Sequence, residues 1–401
     1  MENKKKKILI FSTAYFPFVG GAEVAIKEIT DRLGSDFEFD MITLRFDNRL
    51  PRVEKIGNVN VYRIGFTSNS PTMSDLVKFP LKINKLLFPF LAWGKASSLH
   101  RENKYDGIWA MMAAFAGFAA SFFKLNHPKV PYLLTLQEGD PIPVIKKKVR
   151  FVYPLFKNIF TKADKIQVIS NYLADWAKDM KGKNIEVIPN GVNIKKFSLE
   201  IDKEIKDNLR RELGIKEGEK VLITASRLVK KNGINDILES LTYLKGNNFK
   251  AIILGDGPDR KKLEDLTAKL KLAEQIIFLG RYNNDDLPKY LAISDIFSRP
   301  SLSEGQGISF LEAMAASVPV IATQAGGIAD FLFDEKRNKD KETTGWAVDI
   351  KNPKQIAEAI ENILSDSNKT VKVIANAKKL VEEKYNWDNI SLAMKEIFIN
   401  L

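Results

Sequence analysis

Two glutamates eight residues apart are the most chemically suggestive feature of this sequence. They are Glu304 and Glu312, in the stretch R-P-S-L-S-E-G-Q-G-I-S-F-L-E-A-M over residues 299–314. Gly305 and Gly307 let the backbone approach a ligand closely. The residues that follow open a predicted helix whose unpaired amides suit a phosphate, and they are Ile308, Ser309 and Phe310. A carboxylate further along accepts hydrogen bonds from sugar hydroxyls, so the stretch predicts a site for a nucleotide sugar.

The supply of other reactive side chains is limited. The 401-residue chain has no cysteine and only two histidines, His100 and His127. Disulfides, thiol nucleophiles, thiolate metal sites and His-rich metal centres are therefore excluded. Any catalysis must depend on carboxylates, Arg, Lys, backbone dipoles and the substrate itself. His127 stands beside Pro128, ahead of a predicted strand, and we interpret it as structural.

A glycine pair and a cation cluster each follow a predicted strand. Gly20 and Gly21 precede the first helix in T-A-Y-F-P-F-V-G-G-A-E, and Arg227 and Lys231 lie in S-R-L-V-K-K-N-G. The glycines form either a plain turn or a phosphate-facing loop, since the dinucleotide fingerprint G-x-G-x-x-G is absent. Cations at the carboxyl end of a strand suit a diphosphate, whereas for Lys231 a solvated turn is the alternative.

The 299–314 stretch resembles the E-x7-E signature of retaining GT-B glycosyltransferases of family 4 (group 1). P-x-x-G-G-A-E at residues 17–23 is similar to that family's phosphate-facing loop, and Trp387-Asp388 matches the start of its last helix. The resemblance covers nearly the whole chain. It implies two Rossmann-like domains facing across a cleft, with the donor on the second, the acceptor on the first, and the last helix crossing back. It also implies transfer of a hexosyl unit with retention, through same-face attack assisted by the leaving phosphate.

The resemblance assigns further residues to the donor. Arg227 and Lys231 would hold the diphosphate, although Asn232 occupies the place of the usual family lysine. Glu304 would hold the sugar and Glu312 the ribose. The loops at Gly255 and at Arg281-Tyr282 would border the nucleotide. No D-x-D motif follows a predicted strand, so we expect no metal and no cofactor besides the donor substrate.

One departure concerns the acceptor side. The strand over 132–136 leads into Gln137-Glu138-Gly139-Asp140, where the family often has a histidine that contacts the transferred sugar. Gln137 can donate a hydrogen bond there but cannot act as an acid or base near neutral pH. Glu138 and Asp140 are the candidates to orient the acceptor.

Strand-like and helix-like segments alternate along the chain, which predicts an α/β protein with mostly parallel sheets. The helices predicted in the first half include 75–99, 113–125 and 147–160. Pro189-Asn190-Gly191 marks a turn. We therefore expect an N-terminal domain over 1–190 that includes the C-terminal helix 385–401, and a nucleotide-sugar domain over 191–384. The uncharged run 107–123 is read as a buried strand and helix rather than a membrane span. The lysines at 4–7 precede a buried strand with no convincing cleavage site, which favours a cytoplasmic protein.

The excess of basic over acidic residues is confined to the first half of the chain. Residues 1–190 hold 29 Lys and Arg against 18 Asp and Glu, while residues 191–401 hold 33 against 32. Lys78, Lys82 and Lys85 are predicted to share one helical face interrupted by prolines, and a second basic cluster, 146–150, precedes apolar residues. Basic residues beside apolar ones favour an anionic membrane surface, and hence a sugar or lipid-linked acceptor on the inner face of a membrane. Solvated lysines over a buried apolar face are the alternative.

Two other classes of function remain open. A sugar-nucleotide epimerase of the same fold would need no second substrate. A basic binding protein would fit the isoelectric point near 9.4, but no nucleic-acid module is visible, so we expect no nucleic-acid partner.

Overall fold

The computed structural model describes residues 5–71, 75, 78–244 and 248–401. The chain forms two compact units, one made of Met1–Asn190 with Trp387–Leu401 and the other of Gly191–Asn386. Both are parallel-sheet α/β domains, as predicted. Tyr385 belongs to the apolar core of the second unit, so the returning helix begins two residues later than expected.

The first unit contains an eight-stranded sheet in the order β3-β4-β2-β1-β5-β6-β7-β8. All pairs are parallel except β3 with β4. Its strands are β1 (Lys6–Phe11), β2 (Phe37–Leu44), β3 (Val53–Ile56), β4 (Val59–Ile64), β5 (Gly107–Met111), β6 (Tyr132–Leu136), β7 (Lys165–Val168) and β8 (Ile185–Val187). The central strands are almost wholly apolar because helices cover both faces of the sheet.

Two layers of helices cover this sheet. One face carries α1 (Gly21–Arg32) and the C-terminal helix α15 (Trp387–Ile399), and Phe398 packs against Trp109 of β5. The other face carries α2 (Leu81–Asn103), α3 (Phe118–Asn126), α4 (Ile142–Lys148), α5 (Tyr153–Thr161) and α6 (Asn171–Asp179). His127 packs on Phe123 within this layer, with ring centroids 4.4 Å apart.

The second unit contains a six-stranded parallel sheet in the order β11-β10-β9-β12-β13-β14. Its strands are β9 (Lys220–Ala225), β10 (Phe249–Leu254), β11 (Ile276–Gly280), β12 (Ile296–Arg299), β13 (Val320–Thr323) and β14 (Trp346–Val348). Its helices are α7 (Ile194–Phe197), α8 (Lys203–Glu212), α9 (Ile234–Ser240), α10 (Arg260–Lys269), α11 (Leu287–Ala292), α12 (Ile308–Ala315), α13 (Pro353–Ser365) and α14 (Ser367–Lys384).

Each sheet has one topological switch point, where successive strands change sides. In the first unit β5 returns to the free side of β1, and in the second β12 returns to the free side of β9. Ligands of open α/β sheets bind outside the carboxyl ends of the strands at such a point. The loops after β1 and β5 and those after β9 and β12 are therefore where functional residues belong.

Several predicted helix bounds were wrong. The helix expected over 75–99 begins at Leu81, directly after Pro80, and continues through Pro89 to Asn103; residues 76 and 77 lie outside the described residues. The helix expected from Ala113 begins only at Phe118, because Met112 and Phe115 have positive φ angles of 72° and 56°.

Other elements also differ from the prediction. The helix expected over 147–160 is split into α4 and α5 by a short 3-10 turn. Strands β3 and β14 were not predicted, because each is a short edge strand with only three or four residues of pattern. Residues 107–123 form β5, an irregular turn and the start of α3, as a strand-and-helix interpretation requires. Within the described parts of the chain, no helix is both long and apolar enough to cross a bilayer.

Candidate functional site

Arg299 connects the residues of the first predicted motif. It ends β12, is almost fully buried, and lies with its guanidinium 4.1 Å from the centre of the Phe310 ring. Its Nη2 donates to Glu304 Oε2 at 2.9 Å, and its Nη1 donates to Ser309 Oγ at 2.9 Å. Burial lowers the pKa of Arg299, and the negative charge of Glu304 opposes that effect. Arg299 therefore ties the first glutamate to the first turn of α12.

Gly307 makes this arrangement sterically possible. It precedes α12 with a φ of +88°, a conformation that L side chains rarely adopt. A Cβ atom there would lie 2.5 Å from Arg299 Nη2 and 2.6 Å from the Phe310 ring. Glycine is therefore required both by backbone conformation and by the packing of the buried guanidinium.

The backbone of Glu304 is held by the loop that follows β13. Gly327 donates its amide to the Glu304 carbonyl at 3.0 Å. A Cβ on Gly326 would lie 2.1 Å from that same carbonyl oxygen. The Gln324-Ala325-Gly326-Gly327 loop thus fixes Glu304 from one side while Arg299 fixes its carboxylate from the other.

Glu312 lies on α12 in an almost closed environment. Burial raises its pKa to about 7, although a hydrogen bond from Asn284 and the charges of Lys196 and Arg299 favour the ionised form. Lys196 donates to the Asn284 carbonyl at 2.9 Å and so positions the residue that contacts Glu312. Tyr282 is partly buried, and both this burial and the charge of Glu312 raise its pKa above the ordinary value. A carboxylate in this environment is a strong acceptor for hydroxyl groups.

The loop after β9 packs directly on the loop after β12. Asn232, the residue in the lysine position, is buried and donates to the Arg227 carbonyl at 2.7 Å. Its Oδ1 is buried with no hydrogen-bond partner among the described residues. The Lys231 carbonyl accepts from Leu302 at 2.6 Å, and its side chain is half-buried. Arg227 is exposed at the carboxyl end of β9, so the structure brings Arg227 and Glu304 to neighbouring loops at the switch point.

The loop after β10 is also held close to β9. A Cβ on Gly255, whose φ is +130°, would lie 1.8 Å from the Ser226 carbonyl oxygen. The Gly255 amide donates to the Gly280 carbonyl at 2.7 Å. The next residue after that carbonyl, Arg281, is half exposed, with its Nε 3.7 Å from Asp256 Oδ2. Gly255 and Arg281 thus lie at the same carboxyl edge as Arg227.

The acceptor candidates in the first unit differ in their surroundings. Gln137 and Asn190 exchange two side-chain amide hydrogen bonds of 3.0 Å each. Glu138 is buried, and its Oε1 accepts from the Ala113 amide at 2.7 Å. Burial raises the pKa of Glu138 to about 7, although backbone hydrogen bonds oppose the rise. Asp140 is exposed and pairs with Lys148 at 3.1 Å.

These contacts assign different tasks to the three residues. Glu138 holds the strained turn that follows β5, whereas Gln137 is oriented by its paired amide and Asp140 faces solvent. Only Gln137 and Asp140 therefore present polar groups that a substrate could reach without breaking the turn.

Gly20 is the N-cap of α1 and has an extended backbone rather than a positive φ. Its amide donates to Glu23 Oε2 at 2.7 Å. Burial raises the pKa of Glu23. Gly21 is the first residue of the helix. A phosphate at this loop would therefore compete with the Glu23 carboxylate, which already accepts the hydrogen bond from the Gly20 amide.

The sequence interpretation missed three residues that complete the sites, namely Arg299, Asn284 and Asn190. A signal for Arg299 was present, because a charged residue at the end of an apolar strand must find a partner when it is buried. Asn284 and Asn190 gave no such signal, since they lie in polar turns. No group of three or more His, Asp or Glu side chains suited to a metal ion occurs within residues 5–71, 75, 78–244 and 248–401.

Comparison with known proteins decides the family. The model for glycosyl transferases group 1 matches residues 205–380, and the model for glycosyltransferase family 4 matches residues 19–196. The chain belongs to the group 1, family 4 glycosyltransferases. The two matches together span most of this glycosyltransferase, and their meeting point lies near the boundary between its units.

Relatives and solved structures match most or nearly all of the chain. An uncharacterized glycosyltransferase of Methanocaldococcus jannaschii is 29% identical, with 96% of each chain covered. The alpha-monoglucosyldiacylglycerol synthase of Streptococcus pneumoniae is 26% identical over 79% of this chain and 70% of its own. Anabaena HepE, solved in complex with UDP-glucose, is 21% identical with a TM-score of 0.77, covering 98% and 100% of the chains. This glycosyltransferase therefore has the GT-B fold.

Proposed function

We propose that this glycosyltransferase moves a hexosyl unit from a nucleotide-diphosphate sugar to a lipid-linked or envelope-glycan acceptor, with retention and without a metal. The observation that carries the proposal is the set of groups at the switch point of the second unit. There Arg299 and the 324–327 loop hold Glu304, while Glu312 lies buried beside Asn284. The UDP-glucose in HepE and the glucosylated lipid named for the S. pneumoniae relative support this choice of substrates.

Each group has a task in the proposed reaction. Glu312 accepts hydrogen bonds from ribose hydroxyls, Glu304 orients the transferred sugar, and the first amides of α12 with Arg227 stabilise the diphosphate. The acceptor oxygen bonds to the anomeric carbon on the face from which the diphosphate leaves. The acceptor proton passes to a leaving phosphate oxygen, and the nucleoside diphosphate is released. The α linkage in the relative's product name supports retention, because the common hexosyl nucleotides are themselves α-linked.

Substitution of Arg227 tests whether this residue, rather than a metal ion, stabilises the negative charge of the leaving diphosphate. Arg227→Ala should lower kcat about a hundredfold or more, since one positioned donor contributes about 2.7–4 kcal/mol to the transition state. Chelator should leave the activity nearly intact. Loss of activity in EDTA that magnesium or manganese restores would contradict the proposal. Lys261→Ala is a matched control, because Lys261 is an exposed cation paired with Asp265 on α10.

Product analysis separates transfer from epimerisation. A thermal-shift panel of UDP-, GDP- and ADP-sugars first identifies the donor, because a ligand at about 100 times its Kd adds about 2.7 kcal/mol to stability. The donor is then incubated with and without lipid acceptors, and the anomeric configuration of the product is read by NMR. Conversion of the donor to an isomeric nucleotide sugar without acceptor would establish the epimerase instead.

A further inference from the structure

Residues 86–92 of α2, L-L-F-P-F-L-A, are apolar on all sides of the helix. Phe88 and Ala92 are fully buried against the core of the first unit. The opposite side exposes four large apolar residues, which are Leu86, Leu87, Phe90 and Leu91. A helix that is apolar all round is normally buried on all sides. The outer side of α2 therefore lacks the cover that its composition calls for within the described residues.

A second apolar stretch lies before and at the start of α5. Six consecutive residues over 150–155, R-F-V-Y-P-L, are all exposed. Phe151 is 84% exposed, although it is among the most apolar side chains of the protein. Exposed apolar residues are ordinary when they are scattered singly, but contiguous ones mark an interaction site. This stretch is contiguous.

The two apolar stretches belong to one layer of helices. Phe90 of α2 stacks on Phe122 of α3 with ring centroids 5.6 Å apart, and Phe118 of α3 lies 6.0 Å from Phe156 of α5. Both α2 and the α4–α5 segment connect parallel strands, so each of the two connections begins at the carboxyl edge of the sheet. The exposed starts of α2 and α5 thus flank α3 on the same side of the first unit. We call residues 79–91 and 144–155 together the apolar–basic surface.

Positive charge surrounds these residues. Residues 79–91 and 144–155 contain six Lys and Arg and no Asp or Glu. Lys146 and Lys147 are exposed and have no ion-pair partner among the described residues. Arg150 lies over the ring of Phe151, 4.5 Å from its centre. The surface therefore combines apolar contact area with a net positive charge.

The three-lysine face predicted from the sequence contributes only one exposed lysine to this surface. Lys78 precedes α2 and pairs with Asp75 at 3.0 Å. Lys85 is half-buried and interacts electrostatically with Glu23 of α1. Only Lys82 of the three is an exposed residue of the helix. Most of the positive charge of the apolar–basic surface comes instead from the 146–150 cluster.

We infer that the apolar–basic surface docks on an anionic lipid bilayer. A second copy of this chain would bring two positive surfaces together and would be repelled. Anionic headgroups complement the cations, while Phe90, Phe151 and Leu155 can enter the boundary between headgroups and acyl chains. The surface lies at the carboxyl edge that also carries Gln137 and Asp140, which would bring a lipid acceptor to the acceptor residues. The inference rests on the proposed function only for that last consequence.

Vesicle co-sedimentation of the full chain tests the inference. The wild-type protein should bind phosphatidylcholine vesicles that contain phosphatidylglycerol, weakly in high salt, and should not bind pure phosphatidylcholine. Lys146→Glu with Lys147→Glu should weaken binding at least about twenty-fivefold, since each cation near such a surface contributes about fivefold. Phe151→Ser with Leu155→Ser should weaken it about tenfold.

A matched control uses the exposed pair Val371 and Lys372 on α14. Val371→Ser with Lys372→Glu should bind vesicles as the wild type does. Binding of the nucleotide sugar identified in the thermal-shift panel, measured on every variant, shows that the fold and the proposed donor site are intact. Vesicle binding by wild type without binding of any nucleotide sugar in that panel would support the surface and contradict the proposed function.

Three results would overturn the inference. One is equal recovery of the wild type in the supernatant with both kinds of vesicle at low salt. Another is unchanged binding by both surface variants. The last is a wild-type dimer in lipid-free sedimentation that the surface substitutions convert to monomer, since the surface would then be an interface between copies.

Discussion

Replacing Glu312 with glutamine should stabilise this protein above neutral pH and weaken its binding of the donor. Burial raises the pKa of Glu312 to about 7, from an ordinary value of 4.5. The folded state therefore binds this proton more tightly than the unfolded chain does. Stability is highest while the carboxyl is protonated and falls as pH rises from about 4.5 to 7, and it stays low above that range.

The size of the effect follows from that difference in pKa. Ionising Glu312 in the folded protein costs about 3 kcal/mol more than ionising it in the unfolded chain. A glutamine side chain at this position carries no charge at any pH and has nearly the same shape as the glutamate. Glu312→Gln should therefore stabilise the second unit by about 3 kcal/mol at about pH 8 and by almost nothing at about pH 4.5. For a unit of this size, that corresponds to a rise in Tm of about 6–12 °C at about pH 8.

Donor binding should change in the opposite direction. A glutamine accepts fewer and weaker hydrogen bonds from ribose hydroxyls than a carboxylate does, so the Kd for UDP should rise about tenfold or more at about pH 8. Below about pH 7 Glu312 of the wild type becomes protonated and loses the stronger hydrogen bonds that a carboxylate accepts from the ribose. The Kd values of the wild type and of Glu312→Gln for UDP should therefore become similar. Titration calorimetry with UDP between about pH 5 and pH 8 measures this, together with thermal melts over the same range.

Glu138→Gln is the control for the binding experiment. Its carboxyl has a similarly raised pKa but lies in the first unit, where it holds the turn after β5. UDP binding by Glu138→Gln should keep the wild-type dependence on pH. The reasoning about Glu312 would be refuted if Glu312→Gln were less stable than wild type at about pH 8 and bound UDP with unchanged affinity.

The remaining predictions concern the residues that hold Glu304. Arg299→Lys keeps the charge but cannot reach both Glu304 and Ser309, so kcat should fall about tenfold to a hundredfold while the Kd for UDP stays within about threefold. The double variant Arg299→Lys with Glu304→Gln should have a kcat no lower than that of the slower single variant. A kcat reduced by the product of the two single losses would show that the two residues act separately. Gly307→Ala should destabilise the protein by about 2–4 kcal/mol in chemical denaturation, because its Cβ meets the Arg299 guanidinium. Gly218→Ala, which also has a positive φ but nothing within 4 Å of its Cβ, should lose only about 1 kcal/mol. Equal losses in the two glycine variants would exclude packing around Arg299 as the cause.

Local patterns in the sequence were sufficient for the architecture. Apolar runs bounded by turns identified the central strands, because strands buried on both faces must be apolar throughout. The E-x7-E spacing placed Glu304 before a helix and Glu312 within it, and both positions were confirmed. The edge strands β3 and β14 were missed because too few residues carry a pattern, and α2 was misplaced because only the folded chain shows that Pro80 starts it while Pro89 remains inside it.

The partners of the functional side chains were decided by tertiary structure alone. Gln137 meets Asn190 across 53 residues of sequence, and Lys85 of α2 interacts electrostatically with Glu23 of α1. Spacing along a helix or strand predicts which residues share a face, but it cannot predict what that face will meet. Which loops meet depends on the order of strands in each sheet, and the switch points bring together segments that are distant in sequence. The sequence by itself therefore determined the family, the two α/β domains and the carboxylates, whereas the environment that sets the charge of Glu312 and the position of Glu304 arises only when the strands assemble.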